Sequence, residues 1–221
     1  MILEKREVDK SPTCPELTND QIKIITNICF RHDDQPEMAD CLFIFGTGRY
    51  TNDVVRKICN ILDTWLVHSV IITGWIPRYE NSKQKMLTSE SSQIRDLIVS
   101  KYPDIAFVLD EASHNTLENV VFGLDQAKKN NVNLERAIFL CKTYSTGRWY
   151  ATLRKYLPNT KLLQQTYAPD NFTADNWYIT EQGRNIVWWE MLRLQQYGKR
   201  WDIDTSEVED QLEILFGSIW Q

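Results

Sequence analysis

From residue 41 onward the chain alternates two kinds of hydrophobic pattern. Short runs that are apolar throughout are separated by longer stretches whose apolar positions recur every three or four residues. The short runs, 41–45, 69–73, 105–109 and 137–141, read as strands, with 161–165 a fifth. The longer stretches predict helices over about 52–66, 89–101, 116–130 and 146–157. An earlier helix is predicted over 17–30, with Thr18 or Asn19 as its cap. A polar linker, RHDDQPEMAD, follows it. After Trp177 the helical period returns over 181–197 and 206–220.

Strands that are apolar at every position are buried on both faces, which predicts a parallel sheet covered by helices. Right-handed crossovers then make it α/β, a Rossmann-like doubly wound parallel sheet with flanking helices, an N-terminal helix and a C-terminal helical cap. The expected organisation is a single domain: an N-terminal segment at 1–37, the core at 38–168, and C-terminal helices at 169–221 packing on that core. No repeat or low-complexity segment interrupts it.

Composition narrows the picture only a little. With 221 residues, 43% hydrophobic and 25% charged, the chain has the make-up of a globular protein. A net charge of −5 with no dense Lys/Arg stripe argues against a nucleic-acid binder. The five cysteines form no C-x-x-C pair and no metal-ligand spacing, so reduced thiols are expected, with Cys41 and Cys141 in the core. The opening MILEKREVDK has no apolar core of a secretion signal, and no stretch approaches the ~20 apolar residues of a membrane helix. A cytoplasmic protein with a small-molecule ligand, no nucleic acid and no membrane is the expectation.

In a sheet of this kind ligands gather at the carboxyl ends of the strands. Four turns fall there: Gly46-Thr47-Gly48-Arg49, Thr73-Gly74-Trp75, Asp110-Glu111-Ala112-Ser113 and Lys142-Thr143-Tyr144-Ser145. Glycines allow close backbone approach, and a following helix offers free N–H groups and a positive dipole end. The dinucleotide fingerprint is incomplete, because its third glycine is Thr51 and the second strand ends in Thr73-Gly74 without the ribose-binding acid. The phosphate-loop pattern is absent, and no G-x-S-x-G elbow surrounds Ser113-His114. A ligandless strand–helix turn is the plain alternative at Gly46.

The densest constellation is DEASHNTLEN, residues 110–119. It places Asp110 at a strand end, the capping types Ser113 and Asn115 in the turn, and Thr116, Glu118 and Asn119 in the first helical turn. His114 is its only histidine, either a general acid/base or a solvent-facing loop residue. Lys142 and Arg148 lie six residues apart at another helix start, where the dipole does not favour cations. They are expected to face an anion or nearby carboxylates. The loop 77–87, with Arg78, Lys83 and Lys85, is either a lid or a solvated loop. The eight tryptophans are expected in the core or between helices, with Trp75 the candidate stacking surface.

In combination these residues resemble the YdcF-like and SanA-like proteins. Asp40 and Phe45-Gly46-Thr47-Gly48 resemble the family's first strand and turn, and Ile72-Thr73-Gly74 its second. Ser89-Glu90 matches the acid opening the next helix. Asp110, Ser113, Thr116, Glu118 and Asn119 match an acid-x-x-Ser-x-x-Thr-x-Glu-Asn signature. Lys142 and Arg148, with Glu190-Met-Leu-Arg193-Leu-Gln-Gln-Tyr197, are similar to the soluble, YdcF-like branch, whereas the envelope branch has histidine in place of Ser145. The resemblance spans roughly residues 38–200. Departures are Asp110 in place of Glu, Trp75 in place of a second glycine, and a missing proline near Thr143.

The resemblance implies a Rossmann-like fold with a polar pocket, and members associated with S-adenosylmethionine or with envelope metabolism. The residues themselves cut against ordinary methyl transfer, since the usual glycine-rich motif and the acid after the second strand are missing. The expected ligand is nucleotide-like or phosphorylated, of the S-adenosylmethionine or nucleotide class. Backbone N–H groups at Gly46–Arg49 and Thr73–Gly74, with Lys142 and Arg148, would hold its anion. Glu90, Asp110 and Glu118 would bind ribose hydroxyls, hold Mg²⁺ or activate water, or would simply cap helices and pair with the cations. Two functions stay open: an enzyme of hydrolysis or group transfer, and a binding or sensing module that uses the same pocket without chemistry.

Overall fold

The computed structural model describes residue 8 and residues 12–46, 51–64, 67–74 and 88–217. Five strands, β1 (Ala39–Ile44), β2 (Val67–Thr73), β3 (Ala106–Asp110), β4 (Arg136–Lys142) and β5 (Lys161–Tyr167), form one parallel sheet in the order β3-β2-β1-β4-β5. Among the described residues, the seven helices are α1 (Asn19–Cys29), α2 (Thr51–Thr64), α3 (Glu90–Ile98), α4 (Thr116–Lys129), α5 (Thr146–Tyr156), α6 (Glu181–Lys199) and α7 (Glu209–Phe216). This is the Rossmann-like doubly wound fold that the apolar strands predict. Strand order reverses beside β1, whose neighbours are β2 and β4.

The chain divides into two compact units. One, His32–Cys141 with Tyr156–Pro169, holds the sheet and α2, α3 and α4. Leu42 and Ile44 of β1, Val70 and Ile72 of β2, and Ile138 and Leu140 of β4 pack with Val54, Ile58 and Ile61 of α2 and Ile94 and Ile98 of α3. The intervening residues serve the opposite face, where α4 lies against the strands. There a Cβ on Gly123 would stand 2.6 Å from Phe43 Cζ and 2.8 Å from Thr73 Cγ2, so glycine sets how closely α4 approaches. Burying such a set contributes roughly 1.5–3 kcal/mol per large aliphatic side chain, which is why β1 and β4 carry almost no polar residues.

The other unit, Met1–Arg31, Lys142–Lys155 and Asp170–Gln221, is helical. Its core joins Ile25 and Ile28 of α1 to Trp177, to Val187, Met191 and Leu194 of α6, and to Leu212 of α7. Gly147, in the first turn of α5, faces α1 so closely that a Cβ would stand 2.2 Å from the Ile28 carbonyl oxygen. The Thr146 hydroxyl donates to the Cys29 carbonyl at 2.9 Å and accepts from the Arg31 N–H at 2.8 Å, closing the end of α1.

Capping chemistry fixes the helix starts. Thr18 and Gln21 form a capping box on α1, Ser89 caps α3, Asn115 caps α4 and Thr180 caps α6. Two details depart from the periodicity. The last helix begins at Glu209 rather than 206, because Asp204 Oδ1 accepts from Ser206 N and Val208 N–H bonds to Thr205 O, holding that segment in a turn. Trp201 is 72% exposed instead of packed. It stands just past α6 with φ +61°, where the Trp201 and Asp202 N–H groups return to the Gly198 and Tyr197 carbonyls, and this left-handed stop turns its ring outward.

Candidate functional site

Parallel topology brings the ends of β1, β2 and β3 and the starts of α3 and α4 to one edge of the sheet unit. Thr47, Gly48, Arg49 and Trp75, and the loop 77–87, lie outside the described residues. What remains of the two glycine turns is tightly built. Gly46 and Gly74 face each other: a Cβ on either would stand 3.3 Å from the other's Cα. The Glu90 carboxylate fills the space that side chains there would need, its Oε2 lying 2.9 Å from a Cβ placed on Gly46 and 3.3 Å from one on Gly74. Gly74 also has φ +142°, a backbone that L side chains avoid. These glycines therefore seat the carboxylate of a buried acid.

Donors around Thr73 and Gly74 are engaged within the unit. The Thr73 hydroxyl donates to the Ile44 carbonyl at 3.1 Å, extending the tie between β2 and β1. Gly74 N–H donates to the Asp110 carbonyl at 3.1 Å, and the Gly74 carbonyl accepts from the Ser91 hydroxyl at 3.0 Å. Ser89, the cap of α3, donates to Glu111 Oε1 at 2.5 Å, and Ser92 donates to the same oxygen at 2.8 Å. These hydroxyls, Ser89 first and then Ser92, hold the Glu111 carboxyl below its usual range.

Asp110 ends β3 in register with Thr73 and is 2% exposed. One carboxylate oxygen accepts from the Ala112 N–H at 3.0 Å; the other, Oδ2, is buried with no hydrogen-bond partner among the described residues. A buried carboxylate oxygen without a donor is costly, and a ligand donor, a water or a proton would relieve it. The rest of the 110–119 constellation organises the start of α4. Asn115 Oδ1 accepts from Glu118 N at 3.0 Å, and Glu118 Oε2 accepts from the His114 N–H at 2.6 Å. Ser113, fully buried, donates to Asn119 Oδ1, and Thr116 is buried at the first helical position. His114 itself is exposed. Among the described residues no group of three or more His, Cys, Asp or Glu is placed to hold a metal ion.

The helical unit carries the cations. Arg148, 3% exposed, donates through Nε to Glu190 Oε2 at 2.6 Å, and Arg193 donates to Glu190 Oε1 at 2.8 Å. Burial pushes the Glu190 carboxyl up, but Arg148 and then Arg193 outweigh it and hold it below the usual range. Arg193 also stacks on Trp189, 4.5 Å from its ring centroid. Lys142 shares this field: burial lowers its pKa, Glu190 and Asp170 act against that, and Arg148 and Arg193 act with it. The Arg148–Glu190 pairing, 42 residues apart in the chain, was invisible to the sequence, which offered Glu190 only through the resemblance. An i, i+3 Glu–Arg pair on a helix is the one local signal for the Glu190–Arg193 contact.

A Rossmann-like parallel sheet is a class that often binds nucleotides and other small molecules at strand carboxyl ends, and many enzymes use it. No protein-family model matches the chain, and no curated protein does. No helix among the described residues is long and apolar enough to cross a membrane.

Proposed function

We propose that the protein is a YdcF-like enzyme that binds a nucleotide-like or phosphorylated small molecule at the carboxyl edge of the sheet and acts on it by hydrolysis or group transfer. The observation that carries this reading is Asp110: a buried carboxylate at the end of β3 with one oxygen left for a hydrogen-bond donor. Beside it in the fold, Glu90 is a second buried acid, seated between two glycines. Carboxylates accept hydrogen bonds and repel phosphate, so this edge suits the hydroxyl-bearing part of such a ligand, a ribose or an attacking water. That fits a nucleoside group of the S-adenosylmethionine or nucleotide class; Mg²⁺ would need further ligands from the substrate or water. Asp110 is the preferred base and Glu90 the positioning acid. Ser113, Thr116, Asn119, Glu118 and His114 shape the turn between them and α4.

The test is a thermal-shift panel followed by turnover assays. It runs S-adenosylmethionine, S-adenosylhomocysteine, ATP, ADP, ADP-ribose, coenzyme A and sugar phosphates, with and without Mg²⁺. A ligand at about 100 times its dissociation constant stabilises the folded state by about 2.7 kcal/mol. Asp110→Asn should remove product formation with the stabilising ligand while leaving the unliganded melting temperature unchanged or higher, because the substitution neutralises an ill-satisfied buried charge. If the mutant only weakens binding and wild type forms no product, the binding-module reading replaces the enzyme. Wild-type turnover by the mutant would refute the role of Asp110.

A further inference from the structure

At the amino edge of the sheet unit, where the strands begin, lies an open-sided cavity of about 230 Å³. Asp40 of β1, His68 and Ser69 of β2 and Ala106 of β3 form one side of it, Ser69 and Ala106 being register partners. The chain leaving α4, residues 130–133, forms the other. Asn131, at φ +55°, makes that turn, and the N–H groups of Asn131 and Val132 return to the Lys128 and Ala127 carbonyls. Asp40 fastens the turn to the sheet: its Oδ1 accepts from Asn133 Nδ2 at 3.1 Å and its Oδ2 from the Arg136 N–H at 2.7 Å. The candidate site at the carboxyl edge uses none of these residues.

We propose that this cavity binds a small aliphatic amine as its ammonium ion. The hydrogen-bond inventory of the wall sets that class, because its donors are spent inside the protein. The Ser69 hydroxyl donates to the Asp40 carbonyl at 3.1 Å, Asn130 Nδ2 to the Gln126 carbonyl at 2.9 Å, and Asn133 Nδ2 to the Asp40 carboxylate. What these side chains keep for a ligand is acceptor capacity: Ser69 Oγ, Asn130 Oδ1 and the second lone pairs of the Asp40 carboxylate. The cavity also stands at the carboxyl end of α4, where the helix dipole favours a cation. No lysine or arginine lines it among the described residues, so nothing there supplies that charge already. Ala106 and Val132 give the wall its apolar part, against which methylene groups can lie. Its volume is below the roughly 300–1,000 Å³ of drug-sized pockets, which limits the ligand to the size of a short diamine.

The test reads the imidazole proton resonances of the full-length protein, which has three histidines, at fixed pH. The signal that vanishes in His68→Gln identifies His68, which lines the cavity. Diaminobutane hydrochloride is titrated against two controls: butanediol at equal concentration, and sodium chloride at matched ionic strength. The expected result is a saturable shift of the His68 signal with the diamine and none with either control. Ala106→Leu, at an exposed position, should fill the cavity and weaken binding at least about tenfold without unfolding the protein. Asp40→Asn, which keeps the shape but removes the charge, should weaken it about as much. No saturable shift overturns the proposal, and so does an equal shift with either control or undiminished binding by Ala106→Leu. A folded Asp40→Asn that binds like wild type overturns it as well, by removing the charge argument. Asp110→Asn should leave diamine binding unchanged, so this proposal and the reading of the carboxyl edge fail separately.

Discussion

Replacing Glu190 by glutamine should be the most damaging single-atom-scale change in the helical unit. The side chain is 4% exposed and holds two guanidinium groups, at 2.6 Å from Arg148 and 2.8 Å from Arg193. Charge-assisted hydrogen bonds contribute about 1.5–3 kcal/mol each. Glutamine keeps one acceptor oxygen but turns an NH₂ donor toward a donor, and it leaves Arg148 buried without its counter-charge. Breaking a buried pair from one side costs about 3–5 kcal/mol, and Glu190→Gln belongs in that range.

The assay is urea unfolding followed by tryptophan fluorescence. The tryptophans among the described residues, Trp149, Trp177, Trp188, Trp189 and Trp201, belong to the helical unit, so the signal reports on the part perturbed. The midpoint should fall with an unchanged denaturant slope. The folded Glu190 carboxyl lies below the ordinary glutamate value of 4.5. Its stabilisation is therefore fully present above that value and is lost as the pH falls through the lower folded value. The gap between wild type and Glu190→Gln should be widest near neutrality and close in acid. Adding Arg148→Met to the variant should cost less than the two changes separately, since it removes the stranded charge. A loss below about 1 kcal/mol, or a gap that widens in acid, would refute the account of a buried, charge-coupled triad.

Three further outcomes follow from the packing. Gly74→Ala should destabilise more than Gly46→Ala, by about 1–3 kcal/mol in melting experiments: both meet backbone at 3.3 Å and the tightest contact at Gly46 is a flexible carboxylate, whereas at Gly74 the +142° φ adds backbone strain; equal costs would remove the strain argument. Gly147→Ala should cost about 3 kcal/mol or more, because the new methyl meets the Ile28 backbone at 2.2 Å and no rotamer relieves it, and a wild-type melt would contradict the close packing of α5 on α1. Ser89→Ala removes the cap of α3, worth about 1 kcal/mol, and should raise the Glu111 pKa toward its ordinary value; an unmoved Glu111 titration by NMR would show that the hydroxyl does not set it.

Much of the fold was legible because its signals are local. An apolar run such as CLFIF cannot keep either face in water, so a two-sided layer follows from five letters. Thr18, Ser89 and Asn115 announce helix starts through side chains that need only the next three residues. The candidate edge was legible as a location, because parallel topology alone gathers the ends of β1, β2 and β3 there. Its chemistry was not, because that depends on distant partners. Nothing near Arg148 in the chain indicates that Glu190 holds it, and nothing near Trp201 indicates that a helix stop turns its ring into solvent. His114 offers a general acid/base or a loop residue in sequence, and the structure shows it exposed, with its backbone N–H tying Glu118 to the start of α4.

The two glycines carry the argument about ligand class further than their spacing does. A glycine turn before a helix is usually taken as room for phosphate, with backbone N–H groups as the contacts. At Gly74 that N–H is bonded to Asp110 O, and the room is filled by Glu90. A carboxylate in that position excludes a bare phosphate by charge and admits a donor: a hydroxyl, an ammonium, or water bound to a cation. The orphaned oxygen of Asp110 asks for the same kind of partner. On the proposed function, both acids would therefore meet the uncharged or cationic face of a ligand. On that reading Asp110→Asn should remove the thermal shift produced by a hydroxyl-bearing ligand such as ADP-ribose, and an undiminished shift would refute that selection.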